Sequence, residues 1–331
     1  MKRLGIWTIG LLLVLLATGL AVPALAGSPG SKAIEAVPGS SSGDAEVAEL
    51  AAELEVADAV ADLEESGDKE IKLLEVTLGG GFLGVWGTDN VQAAEPVGKL
   101  AGVYGTVERA DGTKFAFFRG IWISNDGSMF GYLKGRYADG QFKGTWGCPE
   151  TGAGGSVEGT YTIAGIDNAT AGDFTGIWTT RDGQQKGYLK GTWSPVVSVK
   201  REGRFGGRWT CGTAATSSVV DSYGRLWGLY GSIDLADGSS IHYFRGKWDA
   251  ANDGPHGRLG GLIIDGRFYG LWASHNNLAG GYLKGVWAEN LFKGVWGHFG
   301  SSAEGRLWGR YGPLPVPSPV EEQTSWLDKT E

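Results

Sequence analysis

FRGIWISNDGSMFGYLKGRYADGQFKGTW, residues 118–146, holds the plan of the chain. An F-x-G-x-W element at 118 is followed by G-x-L-x-G-x-Y at 131 and by a second F-x-G-x-W at 142. Side chains alternate across a strand, so Phe, Gly and Trp share one face of the first element, and Gly, Leu, Gly and Tyr share one face of the second. Asn125-Asp126-Gly127 and Asp139-Gly140 separate the elements. Asp-Gly supplies the positive-φ positions of hairpin turns. The stretch therefore reads as three short antiparallel strands.

Outward from this stretch the same pattern fills the chain. F-x-G-x-W occurs eight times, beginning at 82, 118, 142, 174, 205, 244, 268 and 292. G-x-[LV]-x-G-x-[YWI] alternates with it, beginning at 98, 131, 155, 187, 224, 257, 281 and 305. The shortest Phe-to-Phe period is 24 residues, and insertions stretch it to 31, 32, 36 and 39. Fixed self-similarity of this kind marks a repeat architecture. With two strands per repeat, residues 76–312 are predicted to form an antiparallel meander of about sixteen strands. Gly weakens a strand on its own. Beside a bulky ring on the next strand it leaves a slot that the ring covers, and the glycines are read as making that room.

Composition agrees. The 331 residues include 58 Gly and 37 aromatic residues, against an ordinary share of about 7% Gly. Collagen requires Gly at every third position, and a disordered chain is poor in aromatic residues; neither fits. The ends differ from the body. Lys2 and Arg3, the uncharged run from Leu4 and Ala24-Leu25-Ala26 read as a signal peptide over 1–26. Residues 27–43 read as a Gly/Ser/Pro linker. Val47, Leu50, Leu54, Ala57 and Ala61 recur at helical spacing, which predicts a short acidic helix within 44–75. Residues 313–331 form a Pro-rich acidic tail. Residues 27–75 carry 13 Asp/Glu and 3 Lys/Arg, whereas the body over 76–312 is close to neutral at +3. A near-neutral exported body argues against a nucleic-acid partner.

The repeat resembles MORN repeats, which also alternate aromatic-x-Gly-x-Trp with a Gly-rich strand and an Asp-Gly turn. The resemblance covers most of 82–311 and implies an antiparallel sheet with a scaffolding or interaction role. An aromatic face needs cover. One circular sixteen-stranded barrel would enclose water. A membrane barrel needs an apolar outer face, whereas Arg119, Lys143, Lys190, Arg208, Lys247 and Lys293 hold the alternate positions. The expected solution is a rolled or folded-over sheet, with a propeller as the runner-up.

No catalytic constellation, phosphate loop, cofactor motif or metal cluster stands out. His242, His256, His275 and His298 fall at different offsets in their repeats, and the Asp-Gly pairs lack the ligand density of a calcium loop. Tyr132, Tyr188, Trp227, Tyr282 and Trp308 occupy the strand face opposite the recurrent aromatics and are candidates for stacking on a ligand. Asn168 is in a glycosylation sequon. Cys148 and Cys211 each follow a repeat Trp by two residues, which points both sulfurs to the Phe/Trp face. Export permits a disulfide between them. In a flat sheet they would lie four strands apart, roughly 19 Å, so a bond requires the sheet to roll or loops to fold across. The expected function is an exported, non-enzymatic protein with a structural, adhesive or scaffolding role at the cell surface. The alternative is a binding module with exposed aromatic residues, carbohydrate being one ligand class, and the third is an enzyme. The expected partner is an envelope component, glycan or protein.

Overall fold

The computed structural model describes residues 73–88, 95–109, 112–163, 171–212, 223–251 and 254–313. The signal segment, the linker, residues 44–72 of the acidic segment, Asn168 and the tail beyond 313 lie outside the described residues, and residues 73–75, expected in the acidic segment, instead begin the first strand. Among the described residues the chain is all β: β1 (Leu73–Thr88), β2 (Gly98–Arg109), β3 (Lys114–Ser124), β4 (Phe130–Ala138), β5 (Gln141–Gly147), β6 (Gly154–Tyr161), β7 (Gly172–Thr180), β8 (Lys186–Cys211), β9 (Tyr223–Leu235), β10 (Ser240–Ala250), β11 (His256–Ile264), β12 (Arg267–Ser274), β13 (Gly280–Ala288), β14 (Leu291–His298) and β15 (Gly305–Gly312). Each pairs antiparallel with its sequence neighbours in one continuous sheet.

The sheet rolls twice. β1 pairs with β2 and, through residues 80–88, with the first part of β8. The second part of β8 pairs with both β9 and β15. The result is two closed eight-stranded barrels, each built from four repeats, with the 26-residue β8 as a stave of both. Sixteen elements give fifteen strands because those beginning at 187 and 205 lie on this single strand. No Asp-Gly stands between them in SPVVSVKREGR, residues 194–204, to make a turn.

Eight strands leave an interior just wide enough for side chains to fill. In the first barrel Phe82, Phe118, Phe142 and Phe174 form a closed edge-to-face ring at 5.8–6.4 Å between centroids. Trp86, Trp122, Trp146 and Trp178 form a second ring at 5.4–6.3 Å. Leu100, Leu133, Val157 and Leu189 are packed in the same core, each facing the Gly of one F-x-G-x-W element on one side and the Trp of another on the other side. Tyr104, Tyr137, Tyr161 and Trp193 close a third ring at 5.7–6.2 Å. The second barrel repeats the Phe ring with Phe205, Phe244, Phe268 and Phe292. It repeats the Trp ring with Trp209, Trp248, Trp272 and Trp296. Edge-to-face geometry sets the positive rim of one ring against the negative face of the next.

The glycines make these rings possible. A Cβ on Gly98 would overlap the indole of Trp86, and one on Gly102 the ring of Phe82. Each indole lies over the neighbouring strand and reaches a backbone carbonyl one strand further on: Trp86 N–H donates to Ile123 O at 3.0 Å, and Trp209 N–H to Asp249 O at 3.0 Å. Seven of the eight F-x-G-x-W indoles bond in this way, with Trp122 the exception.

The barrels pack side by side through outward side chains. Ile121, Ile123 and Phe130 of the first barrel meet Tyr269 and Tyr282 of the second. Leu78 and Val103 meet Ile233, Leu235, Ile241 and Tyr243. Lys284 Nζ donates to Ser128 O at 2.8 Å and pairs with Glu150 at 2.6 Å, and Lys99 pairs with Asp265.

The turns follow their Asp-Gly chemistry in two ways. At Asp139-Gly140 and Asp265-Gly266 both residues have positive φ, as a two-residue hairpin loop demands. At Asp126 only the following Gly127 does, and the carboxylate accepts from Ser124 Oγ and from the Ser128 N–H and Oγ. Those bonds, Ser124 first, hold Asp126 down to about 2 from the ordinary 3.8. A depressed carboxyl stabilises the fold fully above its ordinary range and loses that contribution as pH falls toward its folded value. Carboxyl-carbon NMR titration is expected to place the Asp126 midpoint near 2, and Ser124→Ala to move it upward. An unperturbed midpoint would show that the turn does not hold the carboxylate.

Candidate binding face on the second barrel

With both barrel interiors packed with side chains and, among the described residues, only a water-sized apolar cavity left in the second, the surface is where a ligand can be met. On β9, GRLWGLY turns Leu226 and Tyr230 inward and Arg225 and Trp227 outward. On β15, GRLWGRY turns Arg306, Trp308 and Arg310 outward. β8 runs between them and presents Arg204, Gly206 and Arg208. Trp227 and Arg310 both stand opposite Gly206, and Arg225 and Trp308 both stand opposite Arg208. Lys247 of β10 lies beside Trp227, and Lys293 of β14 beside Trp308.

Trp227 is 43% exposed and Trp308 37%. Strand spacing and rise set their backbones roughly 12 Å apart, across a strip of β8 where Gly206 has no side chain to fill the gap. The repeat does not demand Trp here. The equivalent outward positions hold Ala101, Lys134, Glu158, Lys190, Gly260 and Lys284. Arg204, Arg208, Arg225, Lys247, Lys293, Arg306 and Arg310 are all exposed. Asp249 is the one carboxylate at these positions among the described residues, and Arg225 holds it at 2.8 Å.

The other three candidate rings are corrected by the structure. Tyr188 and Tyr282 are 0% exposed and Tyr132 is half-buried. Each is outward-facing but lies directly opposite an outer glycine: Tyr132 on Gly147, Tyr188 on Gly87 and Tyr282 on Gly297. A Cβ on any of those glycines would press into the tyrosine ring. Tyr282 is covered further by the second barrel's neighbour, against Phe130 at 6.2 Å. These tyrosines are packing elements on the outside of the barrels.

The expected disulfide is also absent. Cys148 is buried at the Trp end of the first barrel, as its register predicts, whereas Cys211 is exposed at the end of β8 in the second. Closure into two barrels put the sulfurs in separate units, and neither barrel needs the bond to roll. His256 and His275 do come together, stacked at 5.0 Å across neighbouring strands. His298 packs instead on Trp272 and Trp296 and bonds Glu304 at 2.6 Å. Among the described residues there is no group of three side chains that could hold a metal ion.

Comparison with protein-family models, curated proteins and solved structures finds no match. The face must therefore be read from its own chemistry. An aromatic pair set among arginines, on a surface where isolated apolar side chains are the rule, has the composition of a binding hot spot. A sequence signal for it exists: Trp-Gly follows Arg-Leu only in the two GRLWG elements, and these flank β8.

Proposed function

We propose that this chain is an exported, non-enzymatic adhesive protein that holds an extracellular polymer at or outside the cell surface through the Trp227–Trp308 face. The charged, apolar and small-x-small segments over 1–26 support export, with a mature chain beginning at Gly27. The closed barrels support a scaffold role, since the β1–β8 and β8–β15 pairings close each ring of strands and leave little sheet edge open among the described residues. The MORN-like repeat is in keeping with an interaction protein.

The observation that carries the reading is the pair of exposed indoles on either side of a glycine-floored strip. Trp side chains at such positions typically contribute about 2 kcal/mol or more to binding. The test is binding of the full chain to the polysaccharide fraction of the producing cell's envelope. Trp227→Ala with Trp308→Ala is expected to weaken it roughly thirtyfold or more, with the barrels still folded because both rings lie on the outer surface and outside the barrel cores. Undiminished binding by the double variant would overturn the reading.

A further inference from the structure

We infer that the polymer is acidic: a uronate-bearing polysaccharide that lies along β8 with its carboxylates on Arg204 and Arg208 and its sugar rings against Trp227 and Trp308. This rests on the adhesive reading above and narrows it to one ligand chemistry.

Charge is the first argument. Residues 196–312, most of the second barrel, carry 13 Lys/Arg against 9 Asp/Glu, a net +4, whereas residues 73–195 carry 10 against 12, a net −2. The excess is concentrated. Arg204, Arg208, Arg225, Lys247, Lys293, Arg306 and Arg310 are exposed on five adjacent strands. Even with Arg225 paired to Asp249, the face keeps a net positive excess, and such an excess raises the local concentration of its counter-ion.

Residue type is the second. The cations nearest the strip are arginines, whose planar fork binds a carboxylate through two parallel hydrogen bonds. Arg204 and Arg208 are separated by Gly206 on one strand, so they stand on one face about 13 Å apart, with the half-buried Gly206 between them. A chain with a carboxylate on successive or alternate sugars can meet both.

Shape is the third. The indoles are flanked by cations and do not merge into a broad apolar patch of the kind that seats a membrane or a protein core. Separate flat rings beside a narrow strip suit a linear chain whose C–H faces are flat and whose edges are polar.

The experiment uses the full chain, titrated with polygalacturonate and with the same polymer methyl-esterified, at 50 and 300 mM NaCl. Binding to the acid form, at least tenfold weaker for the ester and weaker in high salt, is the expected result. Arg204→Gln with Arg208→Gln should abolish that preference without changing the melting temperature. Equal binding of acid and ester would overturn the inference while leaving the adhesive reading intact, and binding of neither overturns the inference. So does equally tight binding of duplex DNA, which would make the face a general polyanion surface. Binding gained only when Glu321, Glu322 and Asp328 are replaced by their amides would assign the face to the chain's own acidic tail.

Discussion

Trp287→Ala is expected to lower stability by about 3–5 kcal/mol, the range for removing a large buried aromatic side chain. In the first barrel the outermost ring is complete, with Trp193 edge-on between Tyr104 and Tyr161. The second barrel has Tyr230, Tyr311 and Trp287 at this level, but Ile263 replaces the fourth ring. Trp287 uses that space to lie flat across the barrel. It stacks on Tyr311 at 4.3 Å and on Phe292 at 5.6 Å, and it also meets Phe205, Phe244 and Phe268. It is the lid of the Phe ring. Its removal leaves a cavity that rings on closed strands cannot collapse to fill, and total stability is only about 5–15 kcal/mol. Urea unfolding measures the loss. Trp308→Ala, at an exposed site, is the control and should change little. A loss below about 1 kcal/mol for Trp287→Ala would contradict the role given to it.

The second large effect lies between the barrels. Phe130 is 1% exposed although it sits on the outside of β4. It packs on Tyr269 at 5.4 Å and on Tyr282, so it is a core residue of the interface. Phe130→Ala is expected to cost about 3–5 kcal/mol and to divide one unfolding transition into two. Both barrels keep their rings, and β8 keeps them tethered, but the apolar seam that couples them is opened. Denaturant unfolding followed by near-ultraviolet circular dichroism reads the number of transitions. A single transition with little displacement would show that β8 alone couples the barrels.

Much of this fold was legible in the sequence because the repeat carries its own physics. The Phe and Trp of F-x-G-x-W do share an inner face, and the glycines do make slots for them. Closure was less legible. Whether sixteen elements form one wide tube, a folded sheet or two filled barrels depends on twist and shear summed over many strands, and no residue encodes that sum. One clue was present: the run without a turn between Trp193 and Phe205 announces a strand shared by two units. At the candidate face the sequence placed Trp227 and Trp308 outward, and the structure leaves them exposed. It placed Tyr132, Tyr188 and Tyr282 on the same face, yet each covers a glycine on the partner strand. The signal was in the Trp-Gly pairs at 86–87, 146–147 and 296–297, which align with the Tyr-Leu of a neighbouring element, Gly facing Tyr and Trp facing Leu, only once register is known. The cysteines shared a register within the repeat, but a common register places them in matching positions of different barrels.

The shared strand also orders events in time as the chain is made. Thr88 must wait for Gly187, its partner 99 residues later, before the first ring of strands can close. Such distant pairings make folding slow. Once they form, the rest of β8 projects from a finished barrel as a ready template for β9, and the second barrel grows from it strand by strand. That template stays unsatisfied along its other side until β15 arrives, with Gly305 returning to Cys211. A chain halted before residue 305 therefore presents two bare edges, on β8 and β14, and can satisfy them by exchanging strands with another copy. The same 26 residues that join the barrels thus make the last eight-residue strand the step that separates a monomer from a swapped assembly.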